Sequence, residues 1–251
     1  MTRVITIYNQ SGGVMKTSLT MNLGYQLSQR GHKVLLADMD PQASLTVFFG
    51  LEPADLENTI AESILNGEPL PIHFSIHSVD IIPSNITLSA AEIQLTSVMA
   101  REWQLKSALE PIEAKYDFIL IDSPPSLGIL SILGLVASTH VLIPIQTQYK
   151  SYKGTELLLD SIKQVKMKVN SQLGIAGVVP TIYASGNSQD NAILDAIKQN
   201  LSSITHIFPP VPRSTAFADA SMEHLPLAIY NPKHPVVNVL EEIAGGLENL
   251  S

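Results

Sequence analysis

Short apolar, β-branched runs alternate with longer stretches of helical periodicity along most of this chain. Strand-like runs fall at Val4–Tyr8, Val34–Asp38, Val79–Pro83, Phe118–Asp122, Val141–Ile145 and Ile175–Thr181, with a further short one near Ile207. They are largely continuous apolar runs, as expected of strands covered on both faces. Helical patterns lie between them, at Thr17–Arg30, Ala90–Ile112, Leu127–Ala137, Gly154–Asn170, Asn191–Asn200 and Val236–Leu250. Leu51–His77 is less regular, carries several Pro and Gly, and reads as a peripheral helix and loop. Alternating βα units predict an α/β fold, a doubly wound and mostly parallel sheet flanked by helices. No repeat, low-complexity tract or long linker divides the chain, so residues 1–251 are expected to form a single domain. In such sheets ligands bind beyond the C-terminal ends of the strands.

The candidate chemistry gathers at those ends. Gln10-Ser11-Gly12-Gly13-Val14-Met15-Lys16-Thr17-Ser18 follows the first strand and opens the first helix. It approximates the phosphate-loop pattern G-x-x-x-x-G-K-S/T, with Gln10 and Met15 at the two places where that pattern has Gly. Backbone N–H groups of such a loop and of the helix start point at anionic phosphates, and the helix dipole favours negative charge there. Lys16 would reach the outer phosphates, and the Thr17 hydroxyl would ligate Mg²⁺. Gly12 and Gly13 allow the backbone to approach closely. If the place of Met15 demands a conformation that favours Gly, the loop is strained; otherwise its side chain is free to pack across a dimer interface. Asp38 and Asp40 lie two apart at a strand terminus, so their side chains start on the same face. Asp122 ends another strand.

Three segments together resemble a known family. Asn9–Ser18 resembles the deviant Walker A box of ParA/MinD-type ATPases. Val34-Leu-Leu-Ala-Asp38-Met-Asp40-Pro41-Gln42 resembles their D-x-D-P-Q box, and Tyr116–Gly128 resembles their Walker B strand with the turn after it. Val79–Ser84, Leu88–Glu92, Pro212-Arg213 and the stretch around Pro226 extend the likeness over nearly the whole chain. The resemblance implies a P-loop NTPase that uses ATP and Mg²⁺. Asp122 would then hold the metal through water, while Asp40 orients or activates the attacking water and Asp38 supports the metal shell, or these two exchange roles. Residues 11–18 would cradle the nucleotide, with Pro212 and Arg213 beside adenine. It further implies an ATP-dependent sandwich homodimer, non-specific DNA as a partner, and an adaptor protein on a cargo that stimulates hydrolysis. The family's signature lysine crosses the dimer interface, but this chain has Ser11 in its place. Ser at this place is similar to a carboxysome-positioning subgroup. Lys150 or Lys153, after the Val141–Ile145 strand, would replace the lost lysine, with Lys150 preferred. Lys163, Lys166, Lys168 and Lys198 are the candidates for DNA contact.

Composition narrows the field further. The 251 residues suffice for a sizeable core, and 45% hydrophobic against 15% charged residues describes a folded chain. Without cysteine there is no disulfide framework, thiolate metal site or Cys nucleophile, nor the cluster-binding branch of this superfamily. The net charge of −8 opposes broad attraction to nucleic acid, so DNA contact needs a local basic patch. No signal-peptide pattern is visible and no run reaches the roughly 20 apolar residues of a membrane span, so a cytoplasmic, nucleoid-associated protein without membrane contact is expected. No helix-turn-helix precedes the first strand, which argues against operator-specific reading.

Two other classes compete. A membrane-binding cell-division regulator of the same superfamily needs a basic amphipathic tail; Val237–Ser251 is acidic and holds no Lys or Arg. A non-hydrolysing scaffold, or a small-molecule kinase on the same loop, stays open because of Ser11 and Met15.

Overall fold

Strand β1 (Arg3–Ile7) runs near the middle of a seven-stranded sheet, flanked by β5 (Phe118–Asp122) and β6 (His140–Gln146). The structure is a computed structural model that describes residues 1–149, 152 and 154–250. Beyond β5 lie β2 (Val34–Asp38), β4 (Val79–Ile82) and β3 (His73–Ile76), and beyond β6 lies β7 (Gly174–Thr181). Every neighbouring pair is parallel except β3 with β4. Each residue of β2 and β5 is buried, which explains their unbroken apolar sequences.

The period-2 geometry of the strands sends alternate residues to two helical layers. Phe118 and Leu120 join a core with Leu19, Leu23 and Leu27 of α1 (Lys16–Gln29) and Leu240, Ile243 and Leu247 of α11 (Pro235–Glu248). The same layer holds α2 (Ser44–Phe48), α9 (Ala216–Met222) and α10 (Leu227–Tyr230). Ile119 and Ile121 face the other way, onto α3 (Ile60–Asn66), α4 (Thr87–Leu95), α5 (Gln104–Glu113) and α6 (Ile129–Ala137). A third cluster packs β6 and β7 under α7 (Thr155–Lys168) and α8 (Ser188–Leu201).

The short helices α2, α9 and α10 are not among the helices the sequence pattern predicts, and the structure differs from that pattern in three further places. The helix expected over Ala90–Ile112 is two helices. Thr96 Oγ1 and Ser97 Oγ donate to the carbonyls of Ile93 and Gln94 at 2.7 and 2.9 Å, drawing the chain out of helix. Ala100 then turns left-handed, with φ 53°, before a single 3₁₀ turn at Arg101–Trp103. The irregular stretch Leu51–His77 does hold a helix, α3, started by the Thr59/Glu62 capping box, but it also holds the edge strand β3. That strand enters β4 through a turn with His77 and Ser78 both at positive φ, without the Asn-Gly or Asp-Gly cue such turns usually carry. Near Ile207 there is one parallel bridge to Val178 rather than a full strand.

Phe208 fastens α11 to the sheet. It is 3% exposed and lies against two glycines: a Cβ on Gly177 of β7 would sit 2.4 Å from its ring, as would one on Gly246 of α11. Gly177 also has φ of +155°, and its Cβ would come within 3.0 Å of the His206 carbonyl oxygen. Gly177→Ala is therefore expected to destabilise the protein by about 1–3 kcal/mol, as overpacking does. Urea unfolding checks this by a lower midpoint at unchanged m-value.

Candidate functional site

The sheet register creates the site. Asp38 pairs with Asp122 across β2 and β5, and Asp122 pairs with Ile7 across β5 and β1. Two carboxylates and the start of the phosphate loop thus stand at one level of the C-terminal edge. Both aspartates share the parity of Leu36 and Leu120, so their side chains face α1.

The loop between β1 and α1 is held by partners far away in sequence. Buried Asn9 donates from Nδ2 to the Pro144 carbonyl at 2.6 Å and accepts the Ser11 amide at 2.9 Å. Ser123 Oγ donates to the Ile7 carbonyl at 2.8 Å, and Thr181 Oγ1 to the Val14 carbonyl at 3.2 Å. Gln10 Nε2 reaches the Gly154 carbonyl at 3.2 Å. Val14 is buried, Ser11 half-buried, and Gly12 and Gly13 exposed. Gly13 has φ of +72°, which suits its lack of a Cβ. Met15 takes the same left-handed region, φ 71° and ψ 25°, as the N-cap of α1. The loop is thus strained at Met15; a non-Gly residue there costs on the order of 1–2 kcal/mol.

Lys16 begins α1 and is 7% exposed. Its Nζ donates to the Ser11 carbonyl at 2.9 Å, spanning the mouth of the loop. Burial pushes its ammonium below the usual lysine range, while attraction to Asp122 and Asp40 pulls the other way. Asp122 is fully buried, and desolvation together with the nearby Asp38 charge holds its carboxyl well above the ordinary carboxylate range. A hydrogen bond from Thr17 and the charge of Lys16 oppose that rise. Thr20 Oγ1 lies 3.5 Å from Asp122 Oδ1, whereas Asp122 Oδ2 is buried without a hydrogen-bond partner among the described residues.

Asp38 is differently placed. Its Oδ2 accepts the Thr46 amide at 2.9 Å and the Thr46 hydroxyl at 2.7 Å, and its Oδ1 accepts the Asp40 amide at 3.1 Å. Burial pushes it up to about 6 despite these bonds. It therefore shapes the turn that carries Asp40. Asp40 is half-buried, and its Oδ1 accepts the Gln42 amide at 2.9 Å.

No group of three or more His, Asp or Glu side chains forms a ready metal cage among the described residues. An orphaned carboxylate oxygen beside a threonine hydroxyl is instead the donor set for Mg²⁺, which keeps several waters and relies on few protein ligands plus phosphates. Asp122 and Thr17 fit that ion. Asp38 accepts three hydrogen bonds from the protein, so at most one acceptor site is left toward a metal shell.

Further along the same edge, Tyr183 and Pro212 form a short parallel bridge, closed by the Arg213 amide donating to the Tyr183 carbonyl at 2.9 Å. Arg213 borders two cavities. One, of about 540 Å³, is lined by Tyr183–Gly186, Pro210 and Pro212. The other, of about 590 Å³, opens beside the phosphate loop and is walled by Met15, Ser18, Phe48, Ile182 and Phe217. Pro212 and Arg213 thus stand at the C-terminal edge of the sheet, the edge that carries the phosphate loop.

The candidate DNA-contacting lysines lie elsewhere. Lys163, Lys166 and Lys168 are exposed on the second half of α7, and Lys198 is exposed in the last turn of α8. Just past Lys168, Asn170 Nδ2 donates to the carbonyls of Leu135, Val136 and Ser138, at the entry to β6. Lys168 therefore lies toward the end of the sheet where β6 begins, away from the strand ends that carry the phosphate loop. Lys150 lies outside the described residues, as does Lys153. Sequence reasoning missed Asn9, Thr46, Ser123 and Thr181 as loop and turn supports; no local pattern marks them, because each acts on a carbonyl or carboxylate far along the chain.

A phosphate loop at the centre of a parallel sheet, with a buried lysine and a strand-end carboxylate, defines a P-loop nucleotide-binding protein. A family profile described as "AAA domain" matches residues 2–175. The sporulation initiation inhibitor protein Soj of Bacillus subtilis is 34% identical over 247 residues, covering 97% of either chain. The chromosome partitioning protein ParA of Myxococcus xanthus is 32% identical over 235 residues, 92% of this chain and 82% of that one. Among solved structures, cobyrinic acid a,c-diamide synthase of Mycobacterium smegmatis with bound ADP and magnesium aligns with TM-score 0.81 at 33% identity, covering 89% of this chain and 92% of that one. Apo McdA of Cyanothece aligns with TM-score 0.87 at 26% identity, over 99% of this chain and 98% of that one. The chain belongs to this AAA-domain family, in its ParA/MinD-type branch of ATPases.

The buried charges give a stability prediction. Above its raised folded pKa, Asp122 is ionised in both states and its burial cost is fully expressed; below the ordinary carboxylate value of 3.8 it is protonated in both states and the cost vanishes. Asp122→Asn should therefore stabilise the nucleotide-free protein near neutral pH, by removing a buried charge that faces the Asp38 charge. The gain should shrink as pH falls toward 4, while the extra stability conferred by ATP with Mg²⁺ is lost. Thermal melts over a pH series, with and without Mg²⁺ and ATP, check both.

Proposed function

We propose that this protein is an ATP-hydrolysing positioning ATPase. ATP and Mg²⁺ close two copies into a sandwich dimer that binds DNA without sequence preference, and an adaptor on the cargo stimulates hydrolysis and release. The observation that carries this reading is a buried Lys16 at the mouth of a phosphate loop with a buried Asp122 near it, in a chain that aligns over 97% of its length with Soj. Residues 11–18 cradle the phosphates through backbone N–H groups, and Lys16 turns from the Ser11 carbonyl to the outer phosphate oxygens. Thr17 and Asp122 hold the Mg²⁺, which supplies charge neutralisation on the phosphates. Asp40, presented by the turn that Asp38 and Thr46 fix, orients the attacking water. Pro212 and Arg213 lie beside adenine. Lys150 takes the place of the signature lysine, a role resting on its sequence position alone.

Ser11 supports a carboxysome as the cargo, because Ser at this place resembles the carboxysome-positioning subgroup. The 34% and 32% identities to Soj and ParA favour a chromosome or plasmid instead. Loss of the gene separates them: clustered carboxysomes with normal DNA inheritance support the first, and faulty DNA inheritance with evenly spaced carboxysomes the second. A membrane-bound regulator has less support, because α11 spends its apolar face on the core through Val236, Leu240, Ile243 and Leu247. Among the described residues no helix is long and apolar enough to cross a membrane.

DNA retention tests the switch. Random-sequence duplex should be held with ATP and Mg²⁺ but not with ADP or without nucleotide, and binding should weaken steeply as salt rises. Reversing Lys163, Lys166 and Lys168 to Glu should weaken retention at least tenfold and flatten the salt dependence by about two to three units of slope. Equal binding in all nucleotide states would remove the DNA-tethered mechanism.

A further inference from the structure

Met15, at the turn from the phosphate loop into α1, lines a cavity with its side chain, as Ser18 does one turn further on. Its left-handed backbone, φ 71°, lets the side chain line the 590 Å³ space between the loop, α2 and α9. There it packs against the core that includes Phe217, with half-buried Phe48 packed on the same core. The walls are apolar at Phe48, Ile182 and Phe217, and polar groups stand at Ser18, Ser214 and Arg213. That is the arrangement of a site for a flat ring with a polar rim: apolar walls for the faces, a few hydrogen-bonding groups for the edge. The cavity starts at the loop itself, so a ring occupying it would be joined to phosphates in the loop. A thioether is polarisable and makes favourable contacts with aromatic rings.

We propose that Met15 determines nucleotide specificity, making the affinity of the loop depend on the base as well as on the phosphates. This rests on the reading of the site as a nucleotide site. A glycine at this place has no side chain to offer the cavity, so an apolar contact from the loop to the base depends on a side chain here. The left-handed conformation at Met15 is the structural condition for that contact.

Strain and contact can be separated by two probes. Inorganic pyrophosphate tests the loop without a base, and ADP tests it with one, both measured by isothermal titration with Mg²⁺ on the full chain. Releasing backbone strain in Met15→Gly acts on both ligands alike and cancels in the ratio of their affinities. The expected result is that this ratio, ADP over pyrophosphate, falls at least tenfold in Met15→Gly and returns to within about threefold of wild type in Met15→Leu, which restores apolar volume. An unchanged ratio in Met15→Gly, with a circular-dichroism melt showing the fold intact, overturns the proposal and leaves the nucleotide reading standing. Wild-type protein that binds neither probe overturns both. If Met15→Gly does not fold, the ratio in Met15→Ser decides, with the same fall expected and an unchanged ratio again contradicting it.

Discussion

Two aspartates are buried side by side, and only one has its oxygens satisfied. That arrangement follows from the register of β2, β5 and β1, which places Asp38, Asp122 and the end of β1 at one level. Burying a carboxylate is costly unless its charge and lone pairs are met. Asp38 meets that requirement inside the protein through Thr46 and the Asp40 amide. Asp122 does not: Oδ2 has no partner among the described residues, and the Asp38 charge beside it raises its proton affinity further. Lys16, itself pushed down by burial, offsets part of this. The site is therefore poised for an added cation and an added polyanion together. In the proposed function the cation would meet Asp122, and the polyanion would meet Lys16 and the loop amides.

The loop can wait in that state because tertiary contacts hold it from several sides. Asn9, Ser123, Thr181 and Gln10 tie it to β6, β5, β7 and the start of α7 in turn. The packing of α1 against α11 fixes the helix whose N-terminus closes the loop, with Arg30 and His32 meeting Glu248 at the far end at 2.6 and 2.7 Å. Such support allows a left-handed methionine where glycine is the easier choice. Strain that persists at a binding loop is held by the rest of the fold, here by a continuous core under α1.

Much of this was readable before any coordinates. The central strands stand out because burial on both faces forces unbroken apolar runs, so β2 and β5 begin and end where their sequences say. Asp38, Asp40 and Asp122 were legible as candidates for a related reason, since polar residues at the ends of such runs mark the strand ends where ligands gather, and Lys16 and Thr17 stood out by the glycine-rich loop pattern between β1 and α1. Less legible was whatever depends on single hydroxyls or backbone signs. The break between α4 and α5 turns on Thr96, Ser97 and Ala100, and β3 is too short and too exposed to alternate. The division of labour between Asp38 and Asp122 was hidden as well, because it depends on Thr46, eight residues beyond Asp38 and on another element. The structure also settles the alternative left open for Met15: the backbone is left-handed and the side chain lines a cavity of its own chain.

In the proposed function the buried Asp122 carboxylate and the buried Lys16 ammonium are completed by Mg²⁺ and ATP together. Isothermal titration of ATP into the protein, with Mg²⁺ and then with EDTA, tests it most directly. The account predicts one ATP bound per chain with Mg²⁺ and an affinity at least tenfold weaker without it. Equal affinity under both conditions, or no binding with Mg²⁺ present, would contradict it.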